Sequence, residues 1–467
     1  MKQQNYILIM CDDLGYGDVG FNGNEIIHTP YLDRLSKEGA VFEHFYSGAP
    51  VCSPTRGTCL TGRHHYRFTV TTANAGSLPK EEITIPQMLK QQGYTTGHFG
   101  KWHLGTLSKT ISDGRRGGSK NATLYSPPWE HYIDECFSTE VAVPLYNPME
   151  NQHFTSKYWL SEENYETKNL EGDDSKVIMD RAIPFIEKNV ANNNPFLAII
   201  WFHAPHEPVI ASPEHRSLYS DYPEVMQHYF GCITAMDEQV GRLNSKIKAL
   251  GIEENTCIWF CSDNGPEGEG ISKNGRGAGS TKGLRGRKRS LFNGGINVPA
   301  CIKWPAYVEP GSTYSFLAST LDFLPTFFAH NEIIMPDNRP IDGENLLEHF
   351  QGITSKRLKP IPLRFVGPSK SHMAGAPTFG LINDDYKILC NFNDDHPESM
   401  MFNTFTDRLE EFNIAETKRD VFEKYRDNLW EIAQSFEKSH NGADYNISDY
   451  KPKFDFISNN SIWNKIN

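Results

Sequence analysis

Long apolar runs are missing from this 467-residue chain. A membrane-spanning helix needs roughly 20 consecutive apolar residues, and no stretch approaches that. Residues 1–5 are too few to hold a secretory leader ahead of the first apolar run. The expected location is therefore periplasmic or secreted if a leader was trimmed from this sequence, and cytoplasmic otherwise. Excess positive charge is missing too. Lys and Arg number 46 against 58 Asp and Glu, a net charge of −12. Nucleic-acid and anionic-membrane binders present basic surfaces, so neither partner is expected. Cysteine is sparse and unpatterned, with nine residues spread between Cys11 and Cys390. That is not the dense, even framework of a small disulfide-built scaffold. Internal repeats and low-complexity segments are absent, and the oligomeric state leaves no signature.

One local absence stands against the acidic background. Residues 270–308 contain no Asp or Glu but hold Lys273, Arg276, Lys282, Arg285, Arg287, Lys288, Arg289 and Lys303. Alone, such a run reads as a solvated basic loop. In an acidic chain it is also the one place where an anionic ligand finds a cluster of cations.

What is present is a repeated design. The runs at 6–10 (YILIM), 196–202 (FLAIIWF) and 257–262 (CIWFCS) each have the continuous apolar character of a buried strand. Each stops in polar residues: Asp12-Asp13, the HAPHEP segment at 203–208, and Asp263-Asn264-Gly265. Helix-like segments at 31–39, 83–93, 180–189 and 224–250 alternate with them. The pattern predicts an α/β fold with a large, mixed but mostly parallel sheet sandwiched by helices. In such sheets ligands bind beyond the carboxyl ends of the strands, where all three polar clusters fall. Asp12-Asp13 alone reads as a turn or cap, and Asp263-Asn264-Gly265 as a turn. Together they offer only hard oxygen donors, the ligand set of calcium or magnesium and not of zinc. His203 reads as a core-edge histidine, whereas His206, beyond a proline, is the better placed to meet a ligand. Extended backbone through 101–103 would put Lys101 and His103 on one face.

Residues 51–63, VCSPTRGTCLTGR, carry a more specific pattern. Zinc binding by Cys52 and Cys59 lacks a second ligand pair at workable spacing. The segment instead resembles the signature C-x-P-x-R-x-x-x-L-T-G-R of type I sulfatases in the alkaline phosphatase superfamily. It matches at Cys52, Pro54, Arg56, Leu60, Thr61, Gly62 and Arg63. A second signature, G-Y-x-T followed by G-K-W-H-L-G, is matched within 93–105. DDLGYGD, HAPHEP, SDNG and the Lys288-to-Gly294-Gly295 spacing follow in the family's order, so the resemblance, which extends to bacterial polysaccharide sulfatases, covers nearly the whole chain.

That resemblance implies a nucleophile made from Cys52, which a maturation enzyme reading C-x-P-x-R oxidises to formylglycine before folding. It implies one Ca2+ held by Asp12, Asp13, Asp263, Asn264 and modified residue 52, and Arg56 steadying both. Lys101 and Lys288 clamp the sulfate, His103 is the base and His206 the acid that protonates the leaving oxygen. The implied activity is hydrolysis of an O-sulfate ester. A phosphonate or phosphate ester hydrolase of the same superfamily is the alternative, as is an unmatured, inactive anion binder. Asn293 stands where the family often has an acidic residue before the glycine pair.

The catalytic part is expected over 1–360, with a crossing at 357–370. A C-terminal subdomain over 361–467 should comprise antiparallel strands within 379–392 and 399–404, then an amphipathic helix at 418–439 with Val421, Tyr425, Leu429, Ile432 and Phe436 on one face. The polar tail from about residue 440 should be an extended strap or partly loose. A sulfated glycan is the expected substrate. The segment 111–165 is studded with Arg115, Arg116, Tyr125, Trp129, His131, Tyr132, Tyr146, His153, Tyr158 and Trp159, groups suited to stacking on sugars or holding sulfates. Arg276, Arg285, Arg287 and Arg289 add cations.

Overall fold

Alternation along each central strand feeds two cores at once. In the strand Asn5–Cys11, Tyr6, Leu8 and Met10 enter one apolar cluster, while Ile7, Ile9 and Cys11 enter another. Thr256–Ser262 divides in the same way, with Trp259 on one side and Ile258 and Phe260 on the other. A strand buried on both faces must sit inside a sheet covered by helices on both sides. The computed structural model, which describes residues 3–152, 154–366, 376–392 and 399–452, shows that arrangement.

Ten strands form the main sheet. Five parallel strands occupy its centre, in the spatial order Thr256–Ser262, Asn5–Cys11, Phe196–Trp201, Thr95–Lys101 and Glu135–Thr139. Ala300–Lys303 runs antiparallel against Thr256–Ser262, and short strands complete both edges. Helices Pro30–Lys37, Ile85–Gln91, Asp174–Ala191 and Glu224–Ala249 correspond to the four expected segments. The large mixed, mostly parallel sheet is thus as expected.

A second, antiparallel sheet of four strands joins Ile361–Arg364, Phe379–Ile382, Tyr386–Cys390 and Met400–Asn403. Its first strand lies inside the segment expected to be a mere crossing, whose residues 367–370 are outside those described. The helix Arg419–His440 covers this sheet. Its buried stripe is Phe422, Leu429, Ala433 and Phe436, with Val421, Tyr425 and Ile432 only partly buried. All five expected residues thus lie in or against this cluster, and Phe422 and Ala433 widen the stripe on its buried side. The tail straps back over the main unit as far as it is described. Asp444 pairs with Arg63, and the Tyr445 hydroxyl donates to Glu82. The remainder of the tail, 453–467, lies outside the described residues.

The insertion at 111–165 departs from expectation. Tyr158 and Trp159 are fully buried, His131 is buried, and Arg116 is buried in a pair with Glu140. Trp129 Nε1 donates to the Tyr125 hydroxyl at 3.1 Å. Tyr125, His131, Arg116, Tyr158 and Trp159 therefore pack the insertion onto the sheet and are not free to meet a sugar, whereas Trp129 and Tyr146 are half-buried and Arg115 is exposed. Tyr132, 43 % exposed, is a further exception, and His153 is outside the described residues.

One buried carboxylate holds two helices in register. The Asp237 oxygens accept from the backbone N–H of Tyr31 at 3.0 Å and Leu32 at 2.7 Å, capping the helix that begins at Pro30. The cap residue Thr29 makes no such bond. Burial raises the Asp237 carboxyl to about 7, against the two N–H donors that lower it. Asp237→Ala orphans both donors and should cost about 1–3 kcal/mol in urea unfolding. Between the ordinary carboxyl value and about 7 the folded chain holds more proton than the unfolded one, so this group's contribution falls as pH rises through that window. Asp237→Asn should flatten that slope, as denaturation curves at pH 4.5 and 7.5 would register.

Candidate active site

Each central strand delivers chemistry where its ladder ends. Asp12 and Asp13 follow the strand ending at Cys11, and Asp13 has a left-handed φ of 67°. The Asp12 N–H donates to Ala204 O at 3.1 Å and the Asp263 N–H to Cys11 O at 3.0 Å, which stitches three polar ends together. Gly265 approaches so closely that any Cβ would collide with the Gly294 carbonyl, and its N–H donates to Gly295 O at 2.9 Å. That approach explains the glycine at 265; at 294 and 295 a Cβ would instead run into the Gly286 and Ser290 carbonyls.

Asp12, Asp13, Asp263 and Asn264 meet within this junction and are all buried. Asp12 Oδ1, Asp13 Oδ2 and Asn264 Oδ1 have no hydrogen-bond donor among the described residues. The Asn264 amide is turned so that its Nδ2 donates to Asp13 Oδ1 at 2.7 Å, which leaves its oxygen free. Three orphaned hard acceptors in one place are what a bound cation satisfies, because buried acceptors without a partner are otherwise costly. Oxygens of Asp12 and Asp263 also lie with the Cys52 sulfur within 4.8 Å of one another.

Cations line the opposite side. Arg56, fully buried, donates to Asp263 Oδ2 at 2.7 Å and to Lys101 O at 2.9 Å. Lys101 Nζ bonds Asp12 Oδ2, and Lys288 Nζ bonds Asp13 Oδ1 at 2.5 Å. Burial pushes the Asp12 carboxyl up, but Lys101, His206 and Arg56 outweigh it and hold the group well below the usual range. Asp263 goes the other way, to about 7, through burial and then its neighbour Asp12. Lys288 is held above the usual lysine value by Asp13, against burial.

Cys52 opens the helix Cys52–Thr61, every residue of which is buried. Burial raises its thiol above the ordinary value despite Lys101 and Lys288 nearby. The helix ends at Gly62 with φ 64°, whose N–H returns to Thr58 O at 2.9 Å. Arg63 pairs with Glu82 at 3.4 Å and with Asp444. The second half of the 52–63 pattern is thus structural, and the first half faces the carboxylates.

The strand Thr95–Lys101 ends before His103, which has φ 55°. Strand alternation therefore does not bring the two together, contrary to expectation; a turn does. His103 Nε2 bonds Asn74 Oδ1 at 2.8 Å, and its buried Nδ1 has no partner among the described residues. With Nε2 donating, the neutral ring keeps its lone pair on Nδ1. Burial, then Lys101 and Arg116, hold this imidazole well below its ordinary value. His206 Nδ1 bonds Glu207 O at 2.6 Å, leaving Nε2 3.8 Å from Asp13 Oδ2. Burial lowers His206 to about 4, against the pull of Asp12. His203 is a core residue, held between Asp174 at 2.8 Å and Thr139 at 2.7 Å.

With this geometry in place, comparison with known proteins is decisive. The family described as Sulfatase matches residues 4–333. The chain belongs to the sulfatase family. Its activity class is sulfuric ester hydrolysis, and formylglycine chemistry at a metal ion is general to the family. A second family, N-sulphoglucosamine sulphohydrolase, C-terminal, matches 286–435. Mouse Arylsulfatase G is 32 % identical over 384 residues, 75 % of this chain and 69 % of that protein. Mouse N-acetylgalactosamine-6-sulfatase is 31 % identical over 367 residues, 73 % of this chain and 65 % of that protein. The crystal structure of Ps i-CgsB in complex with k-i-k-neocarrahexaose aligns with a TM-score of 0.75 at 25 % identity, covering 92 % of this chain and 93 % of that one.

Three groups of contacts in this sulfatase escape sequence reasoning. Asn74 reaches His103 from a separate loop, and nothing in the sequence links the two. Thr139 and Asp174 hold His203 from two further elements. Glu267, three residues beyond Asn264, bonds Arg289 and lies 3.4 Å from Lys288. Its place beside SDNG was the available signal. Asn293 is tied in as well: its Oδ1 accepts from buried Lys387 at 2.8 Å, which Glu410 balances at 2.6 Å. Arg285 and Arg287 are spent on backbone oxygens of Glu410 and Gly279. Among the described residues, no helix is long and apolar enough to cross a membrane.

The orphaned oxygens generate a test. A divalent cation added to metal-stripped sulfatase should raise its melting temperature, with about 2.7 kcal/mol gained at a hundredfold excess over Kd. Asp13→Ala should abolish the shift, as scanning fluorimetry with and without the cation would reveal.

Proposed function

We propose that this sulfatase hydrolyses O-sulfate esters on carbohydrate, with formylglycine made from Cys52 as the nucleophile and one Ca2+ at Asp12, Asp13, Asp263 and Asn264. The carrying observation is the placement of the Cys52 sulfur beside the Asp12 and Asp263 oxygens, at the rim of a cradle with three unsatisfied hard acceptors. An all-oxygen set favours calcium over softer-ligand metals. Cys52 is only 2 % exposed in the folded chain, so a maturation enzyme has to read C-x-P-x-R before folding closes the site. Carbohydrate is supported by the similarity to N-acetylgalactosamine-6-sulfatase and to Ps i-CgsB in complex with k-i-k-neocarrahexaose.

The bound ion supplies positive charge to the sulfate and acidity to the nucleophile. Formylglycine at residue 52, once hydrated, would supply two geminal hydroxyls: one to attack sulfur, the other to lose its proton as the C–O bond to sulfate breaks and the aldehyde returns, which then adds a water to restore the diol. Arg56 keeps residue 52 and Asp263 in register. Lys101 and Lys288 turn from their aspartates toward the sulfate oxygens and neutralise charge as the S–O bond breaks. His103 Nδ1, the free lone pair of a neutral ring, takes the proton from the second hydroxyl. His206 gives a proton from Nε2 to the departing sugar oxygen. Its low affinity for that proton in the free protein rises once an anion sits beside it. Residues 1–360 carry the chemistry in this reading, and 361–467 form a subdomain bracing the Lys288 loop through Lys387 and Glu410.

Two results test this. Peptide mass spectrometry of the protein from its own host should find residue 52 as an aldehyde, and Cys52→Ala should lose all turnover while melting within a few degrees of the parent. His206→Ala should lose about 100-fold in kcat on a sugar sulfate and less than tenfold on an activated aryl sulfate, because a good leaving group needs little protonation. Equal losses on both substrates remove His206 from the acid role.

A further inference from the structure

The reaction as proposed gives no task to Glu207 or Glu267, which line the anion pocket beside Asp13, and of the two it is Glu267 that reaches Lys288. Glu267 Oε1 accepts from Arg289 at 2.5 Å and from Arg276 at 3.1 Å, and Oε2 lies 3.4 Å from Lys288 Nζ. Its side chain is 12 % exposed. Glu267, Asp13, Arg276 and Tyr229 line the same narrow cleft. Lys288 is thereby shared between two carboxylates: Asp13, which faces the cation cradle, and Glu267, which does not. The backbone holds Glu267 there, since its carbonyl accepts from the Gly277 N–H at 2.8 Å and the Pro266 carbonyl accepts from the Lys288 N–H at 3.1 Å.

Sulfate and phosphate monoesters have nearly the same tetrahedral shape, so pocket geometry separates them poorly. Charge separates them well: the sulfate ester carries one negative charge, and the phosphate ester close to two above its second ionisation near pH 6. A fixed negative charge against the clamping lysine, in a site largely shut from water, weighs on the second ester charge far more than it would in solvent. We propose that Glu267 is a specificity-determining residue that tunes the anion pocket to monoanionic sulfate esters and turns away dianionic phosphate esters. This rests on Lys288 being the sulfate clamp. Arg276 and Arg289 act through Glu267: together with Lys288 itself they hold its carboxylate in the ionised form, and their bonds to Oε1 leave Oε2 facing Lys288.

The test compares matured, calcium-loaded protein with its Glu267→Gln and Glu267→Asp variants at pH 8, on p-nitrophenyl sulfate and p-nitrophenyl phosphate. Glu267→Gln should raise the phosphate-to-sulfate ratio of kcat/KM at least tenfold, about 1.4 kcal/mol of discrimination, through a gain on phosphate. Glu267→Asp, which keeps the charge, should stay within threefold of the parent ratio. A ratio unchanged in Glu267→Gln, or equal losses on both esters, overturns the proposal and leaves Glu267 a loop brace. A second measurement needs no turnover: calorimetric Kd values for phenyl phosphate and phenyl sulfate in Cys52→Ala, with and without Glu267→Gln. There too the phosphate-to-sulfate affinity ratio should rise at least tenfold, and an unchanged ratio overturns the proposal. Absence of sulfate turnover in the matured parent, beside a shifted binding ratio, would sink the sulfatase mechanism and not the role of Glu267.

Discussion

Everything in this molecule is arranged around three buried aspartates brought to one place. Asp12, Asp13 and Asp263 lie at the ends of adjacent parallel strands, so the fold itself drives like charges together. Buried charge of one sign is tolerable only when matched, and stripping one partner from such a pair costs about 3–5 kcal/mol. Arg56, Lys101 and Lys288 provide the match from three different elements. The cradle still holds three unsatisfied acceptors, which marks it as incomplete without a cation. The same lysines that balance the aspartates are the ones proposed to grip sulfate. Stability and catalysis thus draw on one set of charges.

That dependence spreads outward through the chain. The loop carrying Lys288 is anchored to the SDNG turn by the close passage of Gly265 past Gly294 and Gly295. Its far side is anchored to the four-stranded sheet, where Lys387 and Glu410 enclose Asn293. Asn293 accepts from Lys387, and Glu410 both balances that lysine and accepts from the Asn293 N–H. Arg63, Glu82, Asp444 and Tyr445 tie the tail to the end of the Cys52 helix in the same way. The smaller sheet therefore serves as a brace for the pocket and not as an appendage.

The sequence by itself determined the class of fold, the junction of carboxylates and the identity of Cys52 as the unusual residue. Those features live in local order: apolar runs long enough to be strands, polar stops directly after them, and a signature that fills one helix of about three turns and its cap. Only the tertiary structure decided the rest. It showed that Tyr158, Trp159 and Arg116 serve the core, because burial depends on which elements pack and not on residue type. It widened the stripe of the last helix to include Phe422 and Ala433, which pack in the same cluster as the sheet beneath. It brought Asn74 to His103 and Glu267 to Lys288, contacts made by loops whose sequence separation carries no periodicity to read. A strand advertises its face two residues at a time, whereas a loop reveals its partner only when the chain has folded around it.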